Sequence, residues 1–226
     1  MTDLLAYLKE RPYPGRGILL GNTPSGKNVC AYFIMGRSEN SRNRVFEKTE
    51  DGVRTKAFDE SRMVDPSLII YHPVRRFGEA LVVTNGDQTD TIRGFLDEGK
   101  TWMDALNTRR FEPDAPNWTP RVSGMQWPNG AHMLSILKAQ TEKADICQRF
   151  FYTYESAQAG AGHFISTYEG FGSPLPSFSG EPVAVDVPEA NAQELAAQLW
   201  EALDAENKVS LYVCVHGEEL ILNKNA

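Results

Sequence analysis

The 226-residue sequence predicts an α+β fold built largely from antiparallel sheets. Two observations carry this reading. Most of the chain divides into short segments rich in β-branched and aromatic residues, bounded by Gly, Pro, Asn and Asp and often joined by tight turns. The helical signals, in contrast, are few and grouped, whereas a doubly wound parallel sheet needs helices that alternate with strands.

In chain order, residues 3–10 pattern as a short amphipathic helix stopped by Pro12. Strands follow at 17–21, 29–36, 44–48, 53–58, 68–76 and 80–85. The links GNTPSGKN, TEDG and Gly78-Glu79 read as hairpin turns. Residues 89–98 and 101–106 read as two helices separated by Gly99. Strands return at 132–138, 148–155, 163–169, 182–187 and 208–216. Between the last two, Asn191 with Glu194 three positions on forms a capping box that opens the helix AQELAAQLWEAL. The Pro/Gly-rich stretch 170–182 reads as a surface loop, because a boundary there would orphan the last strands. Residues 1–226 are therefore expected to form one domain.

With 41% hydrophobic residues, this length can bury a core without staples. Net charge is −7, so no global field draws the chain to nucleic acid or acidic lipid, and an anionic ligand must be held by local arginines. No apolar run reaches the roughly 18 residues that would cross a bilayer. The N-terminus carries charges at Asp3, Lys9, Glu10 and Arg11 and does not read as a secretion signal. Cys30, Cys147 and Cys214 are odd in number and lie among apolar neighbours, as expected of reduced, buried thiols in a cytoplasmic protein.

Several familiar chemistries find no support. Gly21 to Asn28 approaches a phosphate-loop pattern, but Asn28 replaces the hydroxyl residue and a strand, not a helix, follows. His72, His132, His163 and His216 show no metal-ligand spacing, and no Gly-x-Ser-x-Gly elbow is present.

Three stretches place polar residues where a fold does not need them. Gly36 to Arg44 (GRSENSRNR) sets three arginines among Ser and Asn donors; it suits phosphate, and equally a solvated turn. Val83 to Thr91 runs a strand into a polar loop where Thr89 or Asp90 is expected to cap a helix. His163 to Gly172 delivers hydroxyls and a carboxylate into a Gly-rich loop.

Taken with other short motifs, these stretches resemble the archaeal-type inosine monophosphate (IMP) cyclohydrolase family. The matching pieces are Gly15-Arg16, Tyr32 through Arg37-Ser38, Asn43-Arg44, and Asp65-Pro66 leading to Tyr71. They continue with TNGxxTDTI at 84–92, Glu112 with Thr119-Pro120-Arg121, and Ile165 to Glu169 (ISTYE). Residues 1–14 form an N-terminal extension relative to this pattern, and Leu-Ile-Ile stands before Tyr71 where the family has different wording.

The resemblance implies a four-layer αββα fold like that of the N-terminal-nucleophile hydrolases, without their nucleophile chemistry. It implies a hydrolase of the cyclic-amidine type that closes 5-formamidoimidazole-4-carboxamide ribotide to IMP with loss of water. The partner is thus a small purine ribotide; no metal or redox cofactor is called for, and a homo-oligomer is expected. Arg37, Tyr71 and Glu112 are the expected catalytic residues. Arg16, Ser38, Arg44, Asn85, Gly86, Thr89, Asp90, Arg121, Tyr168 and Glu169 are the expected substrate contacts. Tyr71 or Asn85 would stabilise the developing alkoxide, and Glu112 or Tyr71 would move protons. Three other readings stay open: a ribotide-binding module without turnover, a relative with a changed substrate, and an amide hydrolase using a processed Thr2.

Overall fold

Alternation of side chains along paired strands sorts this chain into two antiparallel sheets. The computed structural model describes residues 1–140, 144–155 and 158–225. The first sheet has six strands: β1 (Arg16–Asn22), β2 (Asn28–Met35), β10 (Ala161–Ser166), β11 (Val183–Asp186), β12 (Lys208–Val215) and β13 (Glu218–Asn223). Their order is β11-β10-β1-β2-β12-β13. The second sheet is a seven-stranded meander in chain order: β3 (Arg44–Thr49), β4 (Gly52–Ala57), β5 (Val74–Phe77), β6 (Ala80–Thr84), β7 (Arg121–Gln126), β8 (His132–Ala139) and β9 (Cys147–Tyr154).

The central strands β1, β2 and β12 of the first sheet read as largely apolar runs because both faces are covered. Ile18 and Leu20 of β1 and Cys30, Tyr32 and Ile34 of β2 pack with Val53, Val83, Val122 and Leu134 of the other sheet. The intervening Leu19, Ala31, Phe33 and Met35 turn to the opposite side. There they meet α1 (Leu4–Lys9) and α5 (Ala192–Ala202), whose stripe Leu195, Ala196 and Leu199 is buried. Val82, Met125 and Leu137 of the second sheet similarly pack with Ile92 of α3 (Gln88–Asp97) and with Trp102 and Leu106 of α4 (Trp102–Asn107).

The Asn191 cap follows the sequence. Asn191 accepts from Glu194 N at 2.9 Å, and the Glu194 carboxylate accepts from Asn191 N at 3.0 Å. Such a cap contributes about 1 kcal/mol. Thr101 and Asp104 build a second capping box on α4, and Gly99 at φ +72° separates that helix from α3. The GNTPSGKN stretch is a hairpin turn, with Thr23 N donating to Lys27 O.

Four expectations are corrected. Residues 68–76 are not one strand: Ile69 and Ile70 turn back onto Pro66 O, and β5 begins only at Val74. Pro73 has no N–H to give a ladder there. Strands β7 and β13 were not expected, since RVSGMQ lacks β-branched density and EELILN begins with two acids. The His216-Gly217 turn that leads to β13 has φ +50° and +86°, the two-residue geometry that matches strand twist. Neither Thr89 nor Asp90 caps α3, because the helix starts earlier and Asp87 occupies the cap position without a capping bond. Of the cysteines, Cys30 and Cys214 are buried and Cys147 only half-buried.

Among the described residues, no helix is long and apolar enough to cross a membrane.

Candidate active site

Strand register places distant motifs at one end of the two sheets. Arg16 at the start of β1 pairs with Ile34 near the end of β2, and Gly17 pairs with Ser166 at the end of β10. In the second sheet, Thr84 at the end of β6 faces Ser123 near the start of β7. Arg16, Arg44, Tyr71, Asn85, Arg121 and Tyr168 thus all lie at or just beyond strand termini at this end.

Three ionisable side chains are buried together: Arg16 at 8% exposure, Arg44 at 0% and Glu112 at 2%. Arg44 Nε donates to Ser41 O at 2.8 Å, while Nη1 and Nη2 have no hydrogen-bond partner. Burial draws the Arg44 guanidinium below its ordinary range; Arg16 adds to this, and the phenols of Tyr71, Tyr32 and Tyr13 oppose it. Burial also works against the charge on Arg16, but Glu112, Tyr71, Tyr168 and Tyr13 outweigh it and hold that guanidinium above its usual value. Arg16 Nε is buried without a partner.

Glu112 answers these charges. Burial pushes its carboxyl up to about 7, against the pull of Arg16, Arg121 and Arg44 and with a push from Asp114. Two buried guanidiniums therefore face one carboxyl that is only partly ionised at neutral pH. Removing charge from water costs several kcal/mol per ion unless a partner is supplied, so the cluster is suited to an electron-rich ligand.

Phenols line the same space. Tyr32 and Tyr71 share a hydroxyl–hydroxyl bond of 2.9 Å. Thr55 holds the Tyr71 backbone, its Oγ1 accepting from Tyr71 N at 2.8 Å. Tyr13 stacks between Tyr168 and Phe171, and the exposed Arg37 guanidinium lies 5.0 Å from the Tyr13 ring centre. Gly15, at φ +77°, has to be glycine: a Cβ there would fall 2.3 Å from Thr167 Oγ1 and 2.6 Å from the Tyr168 ring. A cavity of about 440 Å³ lined by Cys30, Arg76, Trp127, Cys214 and His216 lies at the opposite ends of β2 and β12 and holds none of this cluster.

The model of the IMP cyclohydrolase-like protein family matches residues 13–219. The chain belongs to the IMP cyclohydrolase-like family. It is similar to an IMP cyclohydrolase of Methanococcus aeolicus, 27% identical over 161 residues, covering 70% of this chain and 74% of the relative. It is 25% identical over 210 residues to an IMP cyclohydrolase of Methanocaldococcus jannaschii, covering 90% and 93%. A shorter match to an IMP cyclohydrolase of Methanopyrus kandleri is 33% identical over 115 residues, covering 49% and 57%.

Within this family member the remaining expected residues take distinct places. Asn85 is committed to the fold: Oδ1 accepts from Val122 N at 2.8 Å and Gln88 Nε2 at 2.9 Å, and Nδ2 donates to Pro120 O at 2.9 Å. Its Nδ2 reaches Glu112 Oε1 only at 3.5 Å. Gly86 leaves room for Arg121, whose Nη1 would lie 2.5 Å from an added Cβ. That Nη1 donates to Gln88 Oε1 at 2.6 Å and pairs with Asp87 Oδ1 at 2.8 Å. Thr89 is buried and shares a 2.6 Å hydroxyl bond with Thr84. Ser38 accepts from Ser41 N to cap α2 (Glu39–Arg42).

Asp90 and Glu169 are exposed and are not brought into the charged cluster: Asp90 pairs with Arg75 and His72, and Glu169 accepts from Ser179. Asp87, Gln88, Tyr13, Tyr32 and Asp114 belong to the site's surroundings but were not singled out from the sequence as site residues. Tyr13 could have been flagged by its place beside Gly15-Arg16, and Asp114 by its spacing from Glu112. Thr2 lies elsewhere, with its N donating to Ala184 O and its O accepting from Asp186 N, beyond β11. His132 and His163, far apart in sequence, meet across the two sheets at 2.9 Å.

Proposed function

We propose that Arg16, Arg44, Tyr71 and Glu112 form the centre at which this enzyme of the IMP cyclohydrolase family closes 5-formamidoimidazole-4-carboxamide ribotide to IMP. The observation that carries the assignment is Arg44, a fully buried guanidinium with two unpartnered Nη donors beside a second buried arginine.

In the reaction, the carboxamide nitrogen attacks the formyl carbon of the same molecule. The former formyl oxygen then leaves as water, taking one proton from the carboxamide nitrogen and one from the formamide nitrogen. An amide nitrogen is a weak nucleophile, so holding both substituents in contact supplies much of the rate, up to roughly 7–11 kcal/mol in well-oriented systems. Arg44 and Arg16 grip the carboxamide and formyl oxygens. Tyr71, braced by Tyr32, donates to the developing alkoxide, a contact worth on the order of 3 kcal/mol.

Glu112, with its carboxyl near 7, takes the proton from the attacking nitrogen and returns it to the departing hydroxyl. A group with this acidity suits both halves of the transfer, typically about 10² to 10⁴ in rate. Arg37, exposed over Tyr13 and next to Ser38, receives the 5′-phosphate at the mouth. Asn85, Gly86, Thr89 and Arg121 build the wall behind Glu112. Tyr168 flanks Arg16, while Asp90 and Glu169 lie at the rim.

The layer order we assign to the fold is α-β-β-α, as in N-terminal-nucleophile hydrolases. Support comes from one apolar cluster drawn from both sheets and two others that join each sheet to its own helices.

The test is to mix the purified protein, with EDTA present, with the formylated ribotide and follow IMP by ultraviolet absorbance. Turnover well above the uncatalysed rate is expected. No turnover, with a melting temperature raised by the unformylated ribotide, would instead identify a binding module.

A further inference from the structure

The segment between Glu112 and Arg121 carries a hydrogen-bond chain whose proton directions are dictated by chemistry. Asp114 Oδ1 accepts from Thr119 N at 2.6 Å, and Asp114 Oδ2 accepts from Thr119 Oγ1. A carboxylate only accepts, so the single hydroxyl proton of Thr119 is spent on Asp114. The Thr119 oxygen can then only accept from its other neighbour, the Tyr168 hydroxyl, 2.5 Å away. The Tyr168 proton therefore points to Thr119, which leaves the Tyr168 oxygen as an acceptor, and the preceding residue, Thr167, holds the Arg16 backbone, its Oγ1 accepting from Arg16 N at 3.1 Å. The same Thr119 holds the proton carrier, since its carbonyl accepts from Glu112 N at 2.8 Å.

We propose that Asp114 is a positioning residue for ring closure: through Thr119 it orients the Tyr168 hydroxyl as an acceptor beside Arg16 and fixes the backbone of Glu112. One carboxylate, at one remove from the ligand, thereby sets the geometry of both the buried cation and the buried acid. The assignment rests on the ring-closing reading above. Neither Asp114 nor Thr119 needs to touch substrate.

Replacing Asp114 by Asn puts an NH2 where one acceptor stood. Thr119 must then accept from that amide, its proton swings to Tyr168, and the chain runs backwards. Thr119→Val removes the link with little change in shape. Each variant is expected to lower kcat about 10- to 100-fold, in line with small displacements of catalytic groups. Thr119→Ser, which keeps the hydroxyl, should recover most of what Thr119→Val loses. The double variant Asp114→Asn/Thr119→Val should be no slower than the worse single one, because both act through one chain. Asp114→Asn should also move the acid limb of the kcat/KM profile to lower pH, since the negative charge that favours a protonated Glu112 is gone.

A merely structural Asp114 would lower the melting temperature and leave the limb and kcat in place. That result, or multiplicative losses in the double variant, would overturn the proposal. Calorimetric binding of IMP is the second readout, expected to weaken in Asp114→Asn and Thr119→Val and to recover in Thr119→Ser. A wild-type protein that binds IMP with this variant pattern but turns nothing over would leave the positioning chain standing as a binding device and remove the enzyme reading. Normal wild-type turnover with unaffected variants would remove the chain alone. A wild-type protein that neither binds nor reacts would remove both.

Discussion

Tyr32 and Tyr71 meet hydroxyl to hydroxyl at 2.9 Å in the interior, tying β2 of one sheet to the segment ahead of β5 in the other. Removing either hydroxyl leaves its neighbour buried without a partner, a loss of about 1–3 kcal/mol. Tyr32→Phe and Tyr71→Phe should each lower stability by that order in denaturant titration, and the double variant should recover part of it. Turnover should separate them: Tyr71→Phe is expected to fall about tenfold or more, and Tyr32→Phe less. Equal turnover losses would count against Tyr71 as the alkoxide donor.

Glu112 gives a pH prediction of definite sign. Its carboxyl is raised from 4.5 to about 7 in the folded protein, so the native state holds a proton that the unfolded chain has released. Its contribution to stability is complete below about pH 4.5 and is lost as pH rises to about 7. At about 1.4 kcal/mol per pH unit, the full swing is about 3 kcal/mol. His163, drawn down to about 4 by burial and by His132, works in the opposite direction over an overlapping range. The test is therefore the difference between wild type and Glu112→Gln, which should grow steadily in favour of the variant from pH 4.5 to 7 and then level off. Turnover of Glu112→Gln should fall about 10²- to 10⁴-fold; full turnover would remove Glu112 as the proton carrier.

Arg44 trades stability for binding. Replacing a buried, unpaired guanidinium by an apolar side chain of similar size should leave the ligand-free protein as stable or more stable, by up to about 4 kcal/mol. Arg44→Met should therefore melt no lower than wild type, yet lose turnover and the thermal shift caused by IMP. Arg44→Lys should not restore turnover, because an ammonium cannot reproduce a planar two-pronged donor. An Arg44→Met protein that is severely destabilised would show that the guanidinium serves the fold.

Gly15 is where backbone and site meet. Gly15→Ala places a Cβ against Thr167 and the Tyr168 ring at φ +77°. A loss of about 2 kcal/mol or more is expected, with turnover falling because Arg16 is the next residue. Calorimetry and the absorbance assay measure the two effects separately.

Thr2 should be dispensable for chemistry. Its backbone is paired with β11, remote from the charged cluster. Thr2→Ala should retain turnover, and a loss of more than about tenfold would revive an N-terminal nucleophile of the kind that needs an activating base.

How far the sequence reaches is set by the range of the interactions. The helix cap at Asn191, the turn after Gly21, and the apolar strands β1, β2, β6 and β12 were legible because each depends on neighbours within a few residues. The 68–76 segment was misread for the same reason: Ile69, Ile70 and Tyr71 have strand propensity, but Pro66 and Pro73 and the Thr55 hydroxyl shape their backbone. Strand β13 depends on β12 beside it, so its own residues said little.

The same division holds for the site. The arginines, Tyr71, Glu112 and the TNG stretch were visible as residue types in a family order, which determined the chemistry available to this protein. The surroundings of each were set by tertiary structure. Arg37 and Arg44 stand in one polar run, yet one is exposed over Tyr13 while the other is wholly buried with free donors. Asn85 is consumed by Val122, Gln88 and Pro120, and Asp90 is held on the surface by Arg75. Burial, charge coupling and the direction of a hydrogen bond depend on everything around an atom, and only the packed sheets supply those surroundings.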